Sequence, residues 1–151
     1  GEHIMAAMSD YLESGVIDHL FRTITLSKPG NISVALLTNH DANWALDAKT
    51  GATIPEIANS YSYARKSLGA PADATWDLPG TGSPTTSNTA AIEFAAASGG
   101  DWGYVSGIAL VDSLTYGAGN VLLHGALTTP RIVTDGDTFK FNIGDIDITL
   151  A

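Results

Sequence analysis

The sequence has no cysteine, few basic side chains and no long apolar run. Without cysteine, the chain has no disulfide framework, cysteine–zinc site, iron–sulfur cluster or thiol nucleophile. Seven lysines and arginines stand against 16 aspartates and glutamates, which gives a formal net charge of −9. Such an acidic chain is a poor electrostatic partner for nucleic acid or anionic lipid. We therefore expect neither nucleic acid nor a membrane among its partners.

Hydrophobic runs are too short for a membrane span. The longest strongly apolar stretches are about five residues or shorter, such as the four residues 108–111, whereas a spanning helix needs about 20. Residues 1–25 also lack the continuous apolar core of a secretory signal.

What remains is a chain of one-domain size. It has 151 residues, of which 44% are hydrophobic, and a chain of this size buries roughly 70% of its unfolded surface on folding. The opening residues 1–7 resemble a cloning remnant, and we expect the natural chain to begin at Met8. The prediction is a single domain over residues 8–151, with residues 1–7 left out of the fold.

The first predicted element is a helix over about 9–22. Its apolar side chains recur at the helical period, and Ser9 is suited to be the N-cap. These apolar residues are Leu12, Val16, Ile17, Leu20 and Phe21. A short helix with one apolar stripe has to dock on another surface.

After residue 31 the apolar period changes from 3.6 to 2, which is typical of strands. The predicted strands are residues 32–38, 61–68, 89–94, 102–111, 121–127, 137–141 and 146–150. No crossover helices separate them, so the pattern predicts a mainly β fold, an antiparallel β-sandwich or jelly-roll-like barrel with one N-terminal α-helix. The long connections 39–59 and 69–86 are either binding or assembly loops or mobile surface connections.

No catalytic or cofactor site is expected. The chain lacks a G-x-S-x-G nucleophile motif, and its glycines do not form a phosphate-binding loop. His40, Asp41 and Asp47 are the best local metal ligands, but they lack a paired histidine. His124, on a predicted strand, is expected to be a hydrogen-bonded structural residue. We therefore predict no metal.

Acidic residues near the C-terminus allow two interpretations. Asp135, Asp137, Asp145 and Asp147 lie close together in sequence and carry the oxygen ligands that Ca²⁺ prefers. They do not follow a calcium-loop pattern, and aspartates that alternate with isoleucines are typical of the solvated face of a strand. The sequence favours the solvated face.

Two tryptophans fall in the long loops. Trp44 and Trp76 either pack the loops onto the domain or anchor an interface, whereas Trp102 precedes a strand and is expected to pack in the core or at the sheet edge. The sequence nominates His40, Trp44, Trp76 and Pro79 as candidate interface residues. Exposed loop aromatics also fit a carbohydrate-binding, receptor-recognition module, which stays open as an alternative.

The ordered set of short motifs resembles a family of small tailed-bacteriophage structural proteins, tail fibre or tail-fibre-like virion proteins. The segments are SDYLE (9–13), IDHLFR (17–22), VALLT (34–38), YARK (63–66), IEF (92–94), DWG (101–103), LLHGALTTP (122–130), GDTFKF (136–141) and IDITL (146–150). The resemblance implies a non-enzymatic virion component that is made in the host cytoplasm.

The resemblance also implies partners among the other virion proteins, the major capsid or tail proteins. Capsid decoration (cement) and a small tail-fibre component both fit. A building block of this kind is expected to form a homo-oligomer, with a trimer as the first expectation.

Overall fold

The computed structural model describes residues 4–40, 45–80, 82 and 84–150. The strands are β1 (Ile4–Met5), β2 (Ala7–Met8), β3 (Ser33–Leu37), β4 (Lys66–Ser67), β5 (Thr85–Ser87), β6 (Ile92–Glu93), β7 (Gly103–Val111), β8 (Val121–Val133), β9 (Lys140–Phe141) and β10 (Ile146–Thr149). The helix α1 spans Asp10–Phe21, and a short 3₁₀-helix spans Ala45–Ala48.

The central sheet is antiparallel, with the strand order β2-β8-β7-β3-β4. Its centre is the long pair β7 and β8, in which Leu110 lies opposite Leu123 and Ala109 lies opposite His124. Because side chains alternate between the two faces of a strand, these adjacent pairs point to opposite sides of the sheet.

The main hydrophobic core covers one face of the central sheet. It joins Leu36, Ile108 and Leu110 to side chains of two smaller sheets, β1-β10-β5 and β6-β9, such as Ile146 and Phe141. Layers of sheet on either side of one core are a sandwich, so the predicted mainly β, antiparallel sandwich with one helix is confirmed.

A second, smaller core cluster lies on the opposite face of the central sheet. Ala109 and Val111 of β7 belong to it, and Ile54, from the long connection after β3, packs against them. That connection also bonds to β3, where Thr38 N–H donates to Pro55 C=O and Ile57 N–H donates to Leu36 C=O. The connection thus covers this face of the sheet.

The predicted strand 61–68 was too long. Only Lys66–Ser67 is a strand, because Tyr61 and Ser62 have φ values of 53° and 66° and form a turn. The turn is held in place by Trp102, whose Nε1–H donates to Tyr61 C=O over 2.8 Å. Non-glycine residues in this region of φ are uncommon, so the strand pattern gave no warning of the turn.

Residues that sequence analysis set aside contribute to the fold. Ile4 is buried in the main core, and β1 pairs in parallel with β10, where Ile4 lies opposite Ile146. Ala7 and Met8 then pair with His124 and Leu123 of β8. The domain start at Met8 stays a prediction.

Asp145 corrects the expectation of a solvated acidic face. It is buried, and its carboxylate accepts the Asn142 N–H over 2.7 Å, which closes the turn between β9 and β10. Asp147 is half-buried and accepts a hydrogen bond from the Ser87 hydroxyl. The alternation of aspartate and isoleucine therefore does correspond to a strand, β10, but the aspartates are buried or half-buried rather than solvated.

Candidate interaction surfaces

The helix begins where it was predicted. Ser9 is the N-cap, and its buried hydroxyl accepts the Leu12 N–H over 3.1 Å. Its own N–H donates to Leu122 C=O of β8 over 2.9 Å, and its hydroxyl also bonds to Val121 C=O. The cap therefore fixes the start of α1 on the central sheet.

The apolar stripe of α1 is only partly covered by the domain. Leu12 packs against the main core, but Ile17, Leu20 and Phe21 are 55%, 66% and 80% exposed. Residues 17, 20 and 21 are i, i+3 and i+4, so they share one side of the helix. We call these three residues the helix patch. They amount to roughly 400 Å² of apolar surface, within the range of the largest patch on a typical monomer.

An apolar cavity of about 420 Å³ opens beside the main core. Trp76, Leu78 and Pro79 line it, and Leu78 is 92% exposed. Further apolar lining comes from the strands and from the loop before Trp76: Ile32, Pro71, Ala72, Leu110, Leu122, Leu123 and Ile148. Charged groups at this cavity are Lys28, Asp73 and Asp77.

A second cavity of about 250 Å³ adjoins the first. The two share Lys28, Ile32, Pro71 and Leu122, and the second also has Tyr11 and Leu12 of α1 in its wall. We call the two cavities together the apolar groove. The N-terminal half of α1 therefore forms part of one groove wall, while the helix patch lies farther along the same helix.

The sequence-nominated interface residues do not all lie together. Trp76 and Pro79 both line the apolar groove. His40 lies elsewhere, on the second face of the central sheet, because its Nε2 contacts His124 Nδ1 over 3.1 Å and His124 is the partner of Ala109. Trp44 and Asp41 lie outside the described residues. An interface role for His40, Trp44, Trp76 and Pro79 stays a prediction.

His40 and His124 belong to a short hydrogen-bonded chain. His124 Nε2 contacts Asp47 Oδ1 over 2.5 Å, and His40 N–H donates to Ser106 Oγ over 2.7 Å. His124 is buried, which confirms the expected hydrogen-bonded structural histidine. Asp47, a candidate metal ligand, contacts this imidazole instead. Among the described residues, no group of three or more histidines, aspartates and glutamates is arranged to hold a metal ion.

Arg65 and Glu56 form a buried ion pair. Arg65 Nη2 lies 2.8 Å from Glu56 Oε2, with both side chains almost fully buried. The guanidinium also donates to three backbone carbonyls, of Gly51, Ser113 and Ala118, over 2.8–3.0 Å. All of these acceptors lie in connections, so Arg65 fastens two loops to the end of the sheet.

Tyr63 completes this network. It donates its hydroxyl proton to Glu56 Oε1 over 2.7 Å and accepts the Leu36 N–H over 3.0 Å. Burial raises the pKa of the Tyr63 hydroxyl far above its ordinary value, and the Glu56 carboxylate raises it further. Glu56 sits in a long connection with no periodic pattern, so its pairing with Arg65 was not predictable from sequence spacing.

Alkaline pH is expected to destabilise the fold through Tyr63. Its folded-state pKa is raised, so only the unfolded chain releases this proton from about pH 10 upward. The free energy of unfolding is therefore unaffected by Tyr63 ionisation below that pH. Above it, the free energy of unfolding falls by up to about 1.4 kcal/mol per pH unit. Urea unfolding between pH 9 and 11 (about the range of tyrosine ionisation) measures the slope.

Tyr63→Phe should flatten that slope, whereas Tyr104→Phe, at an exposed position, should keep it. The pKa of Tyr116 is also raised, by partial burial and by Glu56, so the Tyr63 variant retains the share that Tyr116 contributes. An unchanged slope in Tyr63→Phe would contradict the assignment.

The helix α1 does not have the length and hydrophobicity of a membrane span. No helix in the described ranges is long and apolar enough to cross a bilayer.

Comparison with known families identifies the class of protein that this fold and these surfaces belong to. A family described as podophage GP4 fiber I protein gp80 matches residues 7–149. The chain therefore belongs to this bacteriophage fibre protein family and is a virion component. The resemblance to tail-fibre-like virion proteins is thereby confirmed. No curated protein matches the sequence.

Proposed function

We propose that this protein is a non-enzymatic building block of the phage fibre that works by protein–protein contact through its helix patch. The exposed apolar side of α1 is the single observation that carries this proposal. The side chains of Ile17, Leu20 and Phe21 are exposed to solvent. They lie on a helix whose start is fixed on the central sheet by Ser9. Burying a large apolar side chain is worth about 1.5–3 kcal/mol, so a second protein surface would gain from covering them.

The arrangement of charge supports the same proposal. A chain with a net charge of −9 is repelled by nucleic acid. Contact with another protein then depends on local complementary patches rather than on a general attraction between opposite net charges. Attachment to the capsid as a decoration protein is the alternative placement, and separate analysis of purified heads and tails distinguishes the two.

The apolar groove bears on the carbohydrate alternative. It combines Tyr11 and Trp76 with Asp73 and Asp77, which is the composition of a sugar site. The rest of the lining is aliphatic, however, and leaves few polar groups to bond sugar hydroxyls. This lining favours an apolar side chain as the occupant. Binding to a glycan array would support the carbohydrate reading instead.

Particle incorporation tests the proposed function. A phage lacking the gene is complemented with the wild-type chain or with Leu20→Ser/Phe21→Ser, and the protein is quantified in purified virions. We expect incorporation to fall at least about tenfold, because the largest apolar contacts are removed. Circular dichroism should show an unchanged fold, since neither residue is buried.

A matched control uses apolar residues that are exposed elsewhere. Ile143 and Leu114 are 68% and 51% exposed, and Leu114→Ser/Ile143→Ser should be incorporated like the wild type. Equal incorporation of the helix variant and this control would show that the helix patch does not carry the contact.

A further inference from the structure

We propose that the helix patch of one copy seats in the apolar groove of a second copy of the same chain. The inference rests on the proposed function in treating the helix patch as a contact surface, and it names the partner. One molecule carries both an exposed apolar surface on α1 and an apolar recess, and the two match in polarity.

The groove is large enough for the side chains that the patch offers. A cavity of roughly 150 Å³ holds a benzene-sized ring. The larger cavity, at about 420 Å³, therefore has room for the Phe21 ring together with Leu20. Its exposed rim residue Leu78 would cover the ring from the solvent side.

The patch cannot enter the groove of its own chain. Leu12 of α1 forms part of the groove wall, and Ser9 fixes the helix start on β8. With a rise of 1.5 Å per residue, Phe21 lies about 13 Å along the helix axis from Leu12. The helix patch thus extends away from the wall that its own helix builds, so the contact has to form between copies.

Charge complementarity favours the same pairing. Arg22 follows Phe21 directly, and the groove carries Asp73 and Asp77 beside Trp76. Asp18, one turn before Arg22, is available to Lys28 at the junction of the two cavities. Within one chain, Arg22 Nε lies 2.9 Å from Asp18 Oδ1 in an i, i+4 pair at the surface, which contributes little to stability. In the contact between copies, Arg22 pairs with Asp73 or Asp77 of the second copy, and Asp18 pairs with Lys28 of the second copy. These pairs set the direction in which the helix lies in the groove.

The contact has the area of a weak but specific interface. Covering the helix patch, an equal area of groove and the charged groups around both gives about 1,000 Å² in total, near the lower limit for specific association. A patch-to-groove contact is head-to-tail, so repetition closes a ring if the rotation between copies allows it. A closed trimer, the expectation from the sequence, would bury three such contacts.

Mixing complementary variants tests this geometry. The helix variant is Leu20→Ser/Phe21→Ser, and the groove variant is Ala72→Trp/Leu78→Asp, in which both altered residues are exposed. Sedimentation equilibrium at increasing protein concentration should show self-association of the wild type. We expect each variant alone to associate at least about tenfold more weakly. An equimolar mixture should recover a one-to-one heterodimer, because one intact patch and one intact groove remain.

Two results would overturn the inference. One is a wild-type chain that stays monomeric throughout the concentration series. The other is a groove variant that associates like the wild type while the helix variant does not, which indicates a twofold helix-to-helix contact. The Leu114→Ser/Ile143→Ser control should associate like the wild type.

These outcomes separate the inference from the proposed function. If the wild type is monomeric but the helix variant is still missing from virions, the patch binds another virion protein and the inference alone fails. If the mixture behaves as expected but the helix variant enters virions normally, the proposed role of the patch in the particle fails.

Discussion

Replacement of Arg65 by methionine is expected to lower the free energy of unfolding by about 3–5 kcal/mol, because it leaves the Glu56 carboxylate buried without its partner. It also leaves the carbonyls of Gly51, Ser113 and Ala118 without the guanidinium that bonds them. A domain of this kind is stable by about 5–15 kcal/mol, so the loss is a large share of the total.

Urea unfolding followed by tryptophan fluorescence measures this effect. Lys66→Met changes the exposed neighbouring residue of β4 and should stay within about 0.5 kcal/mol of the wild type. Arg65→Met/Glu56→Leu removes both charges and should recover part of the loss, because no buried charge is left. A double variant as unstable as Arg65→Met alone would assign the loss to the three carbonyls and to the Tyr63 hydroxyl, which loses its Glu56 acceptor, rather than to the buried Glu56 charge.

The second large effect is expected at Gly51. A Cβ at this position would lie 1.9 Å from the backbone oxygen of Ala118, far inside contact distance. Gly51 N–H also donates to Gly119 C=O over 2.9 Å, so neither backbone can retreat without breaking a bond. Gly51→Ala should therefore cost about 3 kcal/mol, at the upper end of overpacking.

Gly30→Ala is the matched control for Gly51→Ala. The added Cβ meets no described atom within 4 Å. Reduced freedom of the unfolded chain should make this variant equal to the wild type or more stable by about 0.4–1 kcal/mol. If Gly51→Ala unfolds at the same urea concentration as Gly30→Ala, the close approach to Ala118 does not constrain the fold.

Local patterns predicted the parts of the fold that local physics determines. The N-cap Ser9 and the helical period located α1, and period-two alternation located the central strands β3, β7 and β8. β1 and β2 were missed because residues 1–7 were set aside as a cloning remnant, and strands of two residues carry no period that would have argued against this. Positive φ at Tyr61 likewise leaves no trace in an alternation pattern.

The sequence predicted some of the residues of the candidate surfaces but not how these residues are arranged. The stripe of α1 was visible, but which half of it the domain covers depends on how the helix sits on β8. Trp76 and Pro79 were nominated from loop composition and do lie together. The groove itself arises because Ile32, Leu122 and Ile148 meet from distant parts of the chain, and no local period encodes such a meeting.

Ser9 also determines how mechanical load would enter the molecule. When α1 is bound to a neighbouring protein, a pulling force on the helix passes through the Ser9 N–H and hydroxyl to Leu122 and Val121 at the start of β8. β8 is hydrogen-bonded along much of its length to β7, and it pairs with β2 at Leu123 and His124. A pulling force on α1 would thus be passed into the backbone hydrogen bonds that join β8 to β7.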